Sequence, residues 1–168
     1  MFIRERTDVD LAACEDIAEQ VHAIDGYPVY LPGDLRSFIA STAALGAWVA
    51  EHDGAIVGHV ALHSTSSAPV MTVASEFLGQ PPERLGVVAR LFVSPTARRL
   101  GTGRLLLEAA WQDALARGRW PILDVVTQLE GAIELYETCG WVRAGEVTLA
   151  LPDGREVREF VYVGPTAP

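Results

Sequence analysis

The middle of the chain reads Val93-Ser94-Pro95-Thr96-Ala97-Arg98-Arg99-Leu100-Gly101-Thr102-Gly103-Arg104. An apolar run, Val87–Val93, leads into it and is typical of a strand, and a helical pattern follows from Gly101 to Gly118. The first turn of a helix has four backbone N–H groups without partners inside the helix, and the peptide dipoles add partial positive charge there. Because glycines let a ligand approach the backbone, this stretch predicts a site for phosphate or pyrophosphate.

Two known phosphate-binding patterns are absent or incomplete in this stretch, which limits the kinds of anion that it could bind. Gly-x-Gly alone is also typical of an ordinary helix start, but the strand, the proline and the arginines in this order favour an anion site. The phosphate-binding pattern Gly-x-x-x-x-Gly-Lys-Ser/Thr is absent. A dinucleotide fingerprint fits poorly, because Leu106 stands in place of its third glycine, although Asp124 follows about twenty residues later. A nucleotide-dependent oxidoreductase therefore stays open as an alternative.

The patterns on either side predict a mixed α/β fold. Strands are expected at residues 2–5, 47–51, 55–62, 87–93, 122–126, 141–151 and 156–163, and helices at residues 11–21, 34–43, 101–118 and 131–138. The pair Asp53-Gly54 predicts a hairpin between the second and third strands. The stretch Ser64–Arg84 contains three prolines and is expected to be the longest loop.

Composition sets limits on the function. A chain of 168 residues suits a single domain. The net charge of −9 disfavours nonspecific nucleic-acid binding and favours cationic small molecules. No apolar run is long enough for a membrane span, and the charged start Arg4-Glu5-Arg6 is unlike a signal peptide, so a cytoplasmic protein is expected. The two cysteines do not make a disulfide framework, and the spacing of His59 and His63 on a strand does not indicate a metal site.

A second motif makes the inference about the class of protein more specific. It reads Gly131-Ala132-Ile133-Glu134-Leu135-Tyr136-Glu137-Thr138-Cys139-Gly140-Trp141. Together with Arg98-x-x-Gly101-x-Gly103 behind Val93-x-Pro95, it resembles the GNAT superfamily of acyl-CoA N-acyltransferases, in order and in separation. The resemblance is strongest over 87–141. It implies a central mixed, mostly antiparallel sheet of about seven strands, flanked by about four helices, in one domain over residues 1–168.

The resemblance also implies an activity: transfer of an acetyl group from acetyl-CoA to a primary amine. The backbone of Leu91, Phe92 and Val93 would pair with the pantetheine arm as an added strand would. The pyrophosphate would be held by the N–H groups of Arg98, Arg99, Leu100, Gly101, Thr102, Gly103 and Arg104. Tyr136 would donate a proton to the departing thiolate, which a positioned phenol can do. From the residues alone, the favoured interpretation of Tyr136 is a core tyrosine with a satisfied hydroxyl.

One position departs from the family pattern. Leu129 stands where the family often has asparagine, which removes one polar contact to the cofactor, and Gln128 beside it is a possible substitute. This departure and the lack of a clear base leave room for a non-catalytic acyl-CoA-binding regulatory module.

The sequence gives fewer indications of the residues that would bind and activate the acceptor amine. The strand at 87–93 has no acidic residue, so Glu76, Asp124 and His63 are candidates for the general base, as is a water chain. Tyr27 and Tyr30 lie in the loop where the family usually builds its acceptor pocket and are predicted to line it. The acceptor is expected to be a small-molecule or peptide amine, and a homodimer is common in the family.

Overall fold

A seven-stranded sheet runs through the middle of the protein, whose computed structural model describes residues 1–166. Its strands are β1 (Phe2–Glu5), β2 (Ala44–His52), β3 (Ala55–His63), β4 (Leu85–Val93), β5 (Trp120–Val126), β6 (Val142–Ala150) and β7 (Glu156–Val163). Their order across the sheet is β1-β2-β3-β4-β5-β7-β6, and every neighbouring pair is antiparallel except β4 and β5. The predicted mixed, mostly antiparallel sheet is therefore confirmed.

Five α-helices cover the two faces of this sheet. They are α1 (Leu11–Asp25), α2 (Leu35–Ile39), α3 (Ala68–Leu78), α4 (Thr102–Ala116) and α5 (Glu130–Thr138). The α4 and α5 helices pack on one face, around a cluster that includes Leu106, Leu107, Leu123, Val125 and Trp141. The other helices pack on the opposite face, where α1 and α2 cover Val49 and Phe92, and α3 covers Ile122 and Val161. Within residues 1–166, none of the helices has the length and apolar character needed to cross a membrane.

The loop expected at Ser64–Arg84 is wrong, because most of this stretch is helix α3. Pro69 lies in the first turn, where its missing N–H breaks no hydrogen bond and its fixed φ suits a helix. Gly79, at φ 62°, ends the helix in the left-handed conformation that favours glycine. One face of the helix buries Val70, Met71 and Ala74. The three prolines predict a break in regular structure, whereas Pro69 lies at a position that favours a helix start.

The parallel strands β4 and β5 pair only at their beginnings. Their register is Leu85↔Trp120, Gly86↔Pro121 and Val87↔Ile122, and the pairing ends there. From Val88 onward β4 remains paired with β3 on its other side. The edge of β4 that faces β5 therefore carries unpaired backbone groups in the middle of the sheet, which is where the two sequence motifs meet.

Candidate active site

The predicted anion loop follows the open part of β4. A short 3₁₀ turn, Pro95–Ala97, leads to Gly101, which has φ 79° and lies at the start of α4. The backbone N–H of Leu105 donates to the carbonyl oxygen of Gly101, the first bond of the helix. The N–H groups of Thr102, Gly103 and Arg104 precede that bond and have no partner within α4. They form the positive end of a 15-residue helix, an arrangement that binds anions.

Thr102 braces this loop from within. Its side chain is 1% exposed, and its hydroxyl donates to the carbonyl oxygen of Ala97 at 3.0 Å. The bond ties the first residue of α4 to the 3₁₀ turn and closes the loop on itself. Sequence reasoning predicted only an N–H donor at this position, because the partner of a threonine hydroxyl depends on loop geometry that the motif does not specify.

Gly103 brings the two sequence motifs together. A Cβ at this position would lie 3.2 Å from Cδ2 of Leu135, which is tighter than nearly all real contacts. The missing side chain therefore lets α5 lie directly against the start of α4. As a result Tyr136, the residue after Leu135, belongs to a helix that touches the anion loop.

The three arginines of the loop are all exposed. Arg98 forms an ion pair with Asp25 at the end of α1, and Arg99 has φ 62°. Within residues 1–166, Arg99 and Arg104 make no ion pair, so both charges are free to meet an anion at this helix start. Leu100 is 54% exposed, which leaves only its backbone for the predicted role.

Tyr136 is 7% exposed and packs against Trp141 and Tyr162, with ring centroids 6.2 Å away in each case. Burial raises the pKa of its phenol well above the usual range, with further contributions from Tyr27 and Asp124. The phenol is therefore protonated at neutral pH, as a proton donor must be. Tyr162 is the satisfied core tyrosine of this cluster, since its hydroxyl donates to Glu137 at 2.7 Å.

Tyr27 is partly buried against α1 and α2, and burial raises its pKa. Its role in lining an acceptor pocket stays a prediction. Tyr30 is 40% exposed, and its placement leaves its predicted role without support.

Asp124 on β5 and Glu159 on β7 form a carboxyl pair. The register Asp124↔Val161 and Val126↔Glu159 puts both side chains on the α3 face, diagonally across two neighbouring strands. Burial and the adjacent Asp124 raise the pKa of Glu159 to about 8, and burial also raises the pKa of Asp124. Glu159 is therefore mainly protonated near neutral pH.

A cavity of about 310 Å³ lies beside this pair, where β4 and β5 part. It is lined from the sheet by His63, Ala89, Arg90 and Asp124, and from the start of α3 by Ser66 and Ser67. The hydroxyl of Ser66 donates to Oδ1 of Asp124 at 3.2 Å. Of the three base candidates, Asp124 and His63 line the cavity, whereas Glu76 is exposed on α3. A second depression, of about 400 Å³, lies over three glutamates on the outer face of α5, where an anionic cofactor would be repelled.

His59 holds the backbone beside the cavity. Two β4 residues, Arg90 and Leu91, lie opposite one β3 residue, and Arg90 has φ 55°, which defines a β-bulge. Nδ1 of the fully buried His59 lies 2.9 Å from the carbonyl oxygen of Arg90, so it carries the proton and donates. Nε2 then accepts from Arg6 at 3.1 Å. Burial lowers the pKa of His59 to about 3, which keeps this tautomer neutral.

Leu129 caps α5 without a side-chain hydrogen bond and packs against the core. Gln128 beside it is exposed. Leu129, at the N-cap position of α5, therefore cannot make the polar contact to the cofactor that the family's asparagine would make.

A sheet that opens between two parallel strands, beside a helix start able to bind an anion, defines the fold of acyl-CoA-dependent acyltransferases. The sequence model of the acetyltransferase (GNAT) family matches residues 12–141, which is most of the chain. The chain belongs to this family and is an acyltransferase. This assignment favours the acyltransferase over both the oxidoreductase and the purely regulatory alternatives.

Solved structures with the same fold cover nearly the whole chain. The ribosomal-protein-S18-alanine N-acetyltransferase from Escherichia coli is 21% identical, with a TM-score of 0.70 over 99% of this chain and 94% of that one. An N-acetyltransferase from Staphylococcus aureus Mu50 is 20% identical, with a TM-score of 0.73 over 99% and 98%. The protein yncA from Salmonella typhimurium, solved with its cofactor acetyl-CoA, is 17% identical, with a TM-score of 0.71 over 100% and 95%. No curated protein sequence matches the chain.

Proposed function

We propose that this protein is an N-acetyltransferase that moves an acetyl group from acetyl-CoA to a primary amine, and that residues 1–168 form one such domain. The observation that carries the proposal is the free N–H groups at the start of α4, which lie at the end of a strand whose edge is unpaired. A ligand with a pyrophosphate and an extended polar arm suits these two features together. The family match and the acetyl-CoA in the yncA structure support acetyl-CoA as that ligand.

The cofactor arm has a place along β4. Because the pairing with β5 ends at Val87, the backbone of Leu91, Phe92 and Val93 is available on that edge for strand-like addition. The side chain of Phe92 is buried against α1, so only its backbone is offered. The pyrophosphate would then lie at the N–H groups that follow Arg98, within reach of Arg99 and Arg104.

The chemistry needs a group that stabilises the leaving thiolate, and we assign it to Tyr136. The amine nitrogen attacks the thioester carbonyl, the N–C bond forms and the C–S bond breaks. With its raised pKa, the Tyr136 phenol is a weaker acid than an ordinary thiol. It therefore acts first as a hydrogen-bond donor to the developing thiolate. Proton transfer follows because burial makes the thiolate itself more basic.

The test compares two neighbouring tyrosines. Tyr136→Phe is expected to lower kcat by about a hundredfold, the usual contribution of a positioned acid, while the Kd for acetyl-CoA stays within about twofold of wild type. Tyr162→Phe is the matched control, because it removes a hydroxyl from an adjacent ring that is bonded to Glu137. It should lower the Tm and leave kcat near wild type.

Thiol release with the best amine of a broad panel gives kcat, and calorimetry gives Kd, with NADH as the control ligand. An unchanged kcat in Tyr136→Phe would return this residue to the core. Binding of NADH in place of acetyl-CoA would overturn the proposed cofactor.

A further inference from the structure

The cavity beside Asp124 contains polar atoms that lack partners within residues 1–166. His63 is 5% exposed, and its Nε2 atom lines the cavity side of β3 without a hydrogen bond. The hydroxyl of Ser67 is likewise buried without a partner. A buried polar atom left without a hydrogen bond destabilises the fold. The cavity therefore suits a ligand that brings polar groups with it.

The acidic end of the cavity is Asp124, one member of the carboxyl pair. Its Oδ1 atom accepts a hydrogen bond from the hydroxyl of Ser66 at 3.2 Å. A primary ammonium has three donors and would find acceptors on this carboxyl group. Asp124 lies on β5 just beyond the last residue that pairs with β4, so an amine held there lies beside the open strand edge proposed for the cofactor arm.

The positive end is Arg90, whose guanidinium lies 3.5 Å from the ring centroid of Phe38 and lines the same cavity. Its Nε atom donates to the carbonyl oxygen of Phe38 at 3.4 Å, and within residues 1–166 it forms no ion pair. Arg90 has φ 55°, a strained conformation for a non-glycine residue, and the bond from His59 holds it there. A guanidinium fork matches a carboxylate in geometry and charge.

The size of the cavity also limits the acceptor. Its volume of about 310 Å³ is at the small end of ligand pockets.

We infer that the acceptor is a small zwitterion, a free amino acid or a close analogue, whose ammonium group binds Asp124 and whose carboxylate binds Arg90. The inference rests on the proposed acetyltransferase function and names its substrate class. A simple amine would leave the guanidinium of Arg90 without an anionic partner, and a cavity of about 310 Å³ has little room for a peptide. In the reaction, one proton of the ammonium passes through Asp124 to solvent, a second one ends on the thiolate, and the amide keeps the third.

The experiment compares matched acceptors. Each common L-amino acid is offered with acetyl-CoA beside its carboxamide and its decarboxylated amine, and thiol release gives kcat/KM. At least one free acid should exceed its carboxamide and its amine by tenfold or more. Equal or better turnover of the forms without a carboxylate would overturn the inference, and so would a failure to acetylate any free amino acid.

A pair of variants tests Arg90 directly. Arg90→Met should lower kcat/KM for the preferred acid at least tenfold, mainly through KM, and change the value for its carboxamide less than threefold. Arg158→Met is the control, because this arginine is exposed on β7 and pairs with Glu146; it should leave both values unchanged. An equal loss on acid and carboxamide would contradict the role of Arg90. Should Arg90→Met fail to fold, the preference of the wild-type enzyme still decides.

Failure of the inference differs from failure of the proposed function. If acetyl-CoA binds and only simple amines or peptides are acetylated, the zwitterion is wrong and the acetyltransferase stands. If acetyl-CoA does not bind in calorimetry, the proposed function falls, and the inference falls with it.

Discussion

Gly101→Ala separates the cofactor site from the stability of the fold. Gly101 has φ 79°, and a Cβ built there meets no protein atom within 4 Å. The left-handed backbone costs an L residue about 1 to 2 kcal/mol, and the lost freedom of the unfolded chain returns about 0.4 to 1 kcal/mol. The free energy of unfolding should therefore fall by only about 0.5 to 1 kcal/mol.

The effect on the cofactor should be larger. A side chain at Gly101, directly before the N–H groups of Thr102 and Gly103, is expected to narrow the space in which a phosphate approaches this backbone. Loss of a single hydrogen bond to a charged group is worth about 1.5 to 3 kcal/mol. The Kd for acetyl-CoA should accordingly rise about tenfold or more.

Gly79→Ala is the matched control. Gly79 has φ 62°, and a Cβ there also meets nothing within 4 Å, but it ends α3 away from the anion loop. Urea denaturation should show a similar loss for both variants, while calorimetry should show weaker acetyl-CoA binding for Gly101→Ala alone. Equal affinities in the two variants would refute the placement of the pyrophosphate at the start of α4.

Three further measurements test other parts of the site. Thr102→Val leaves the carbonyl of Ala97 without its buried donor, so urea denaturation should show a loss of about 1 to 3 kcal/mol, and an unchanged stability would contradict the brace. Because burial and the neighbouring carboxyl raise the pKa of Glu159 to about 8, the stability from its protonated form is lost as the pH rises from about 4.5 through 8. Glu159→Gln should match wild type near pH 4.5 and be more stable above pH 8 by on the order of 1 to 2 kcal/mol, allowing for solvent screening. Burial lowers the pKa of His59 to about 3, so the stability that the neutral ring contributes is present above about pH 6.5 and is lost as the pH falls towards 3. Nitrogen NMR should show a neutral ring with the proton on Nδ1 between about pH 5 and 8. Protonation of the ring near pH 6.5 would refute this.

The sequence predicts best where the determinants are local. The anion loop needs a strand end, a proline turn and a helix start within twelve residues, and each of these has a recognisable residue pattern between Val93 and Arg104. The contact between the two motifs could also be predicted from the sequence, since Gly103 belongs to the first motif and Leu135 to the second. The α3 helix was missed for a local reason as well, because Pro69 is a breaker inside a helix and a favourable residue in its first turn.

The acceptor side could not be read from the sequence in the same way. Asp124 and Glu159 are far apart in the chain and meet because β7 inserts between β5 and β6 in the register Val126↔Glu159. A shift of that register by one residue would turn Glu159 to the other face of the sheet, and no pattern within either strand specifies it. Arg90 depends in turn on a bulge held by a histidine from β3. A cofactor common to a whole family can be recognised by a short motif, whereas a pocket for one acceptor is built from single residues on separate strands, so its chemistry becomes visible only when the sheet is assembled.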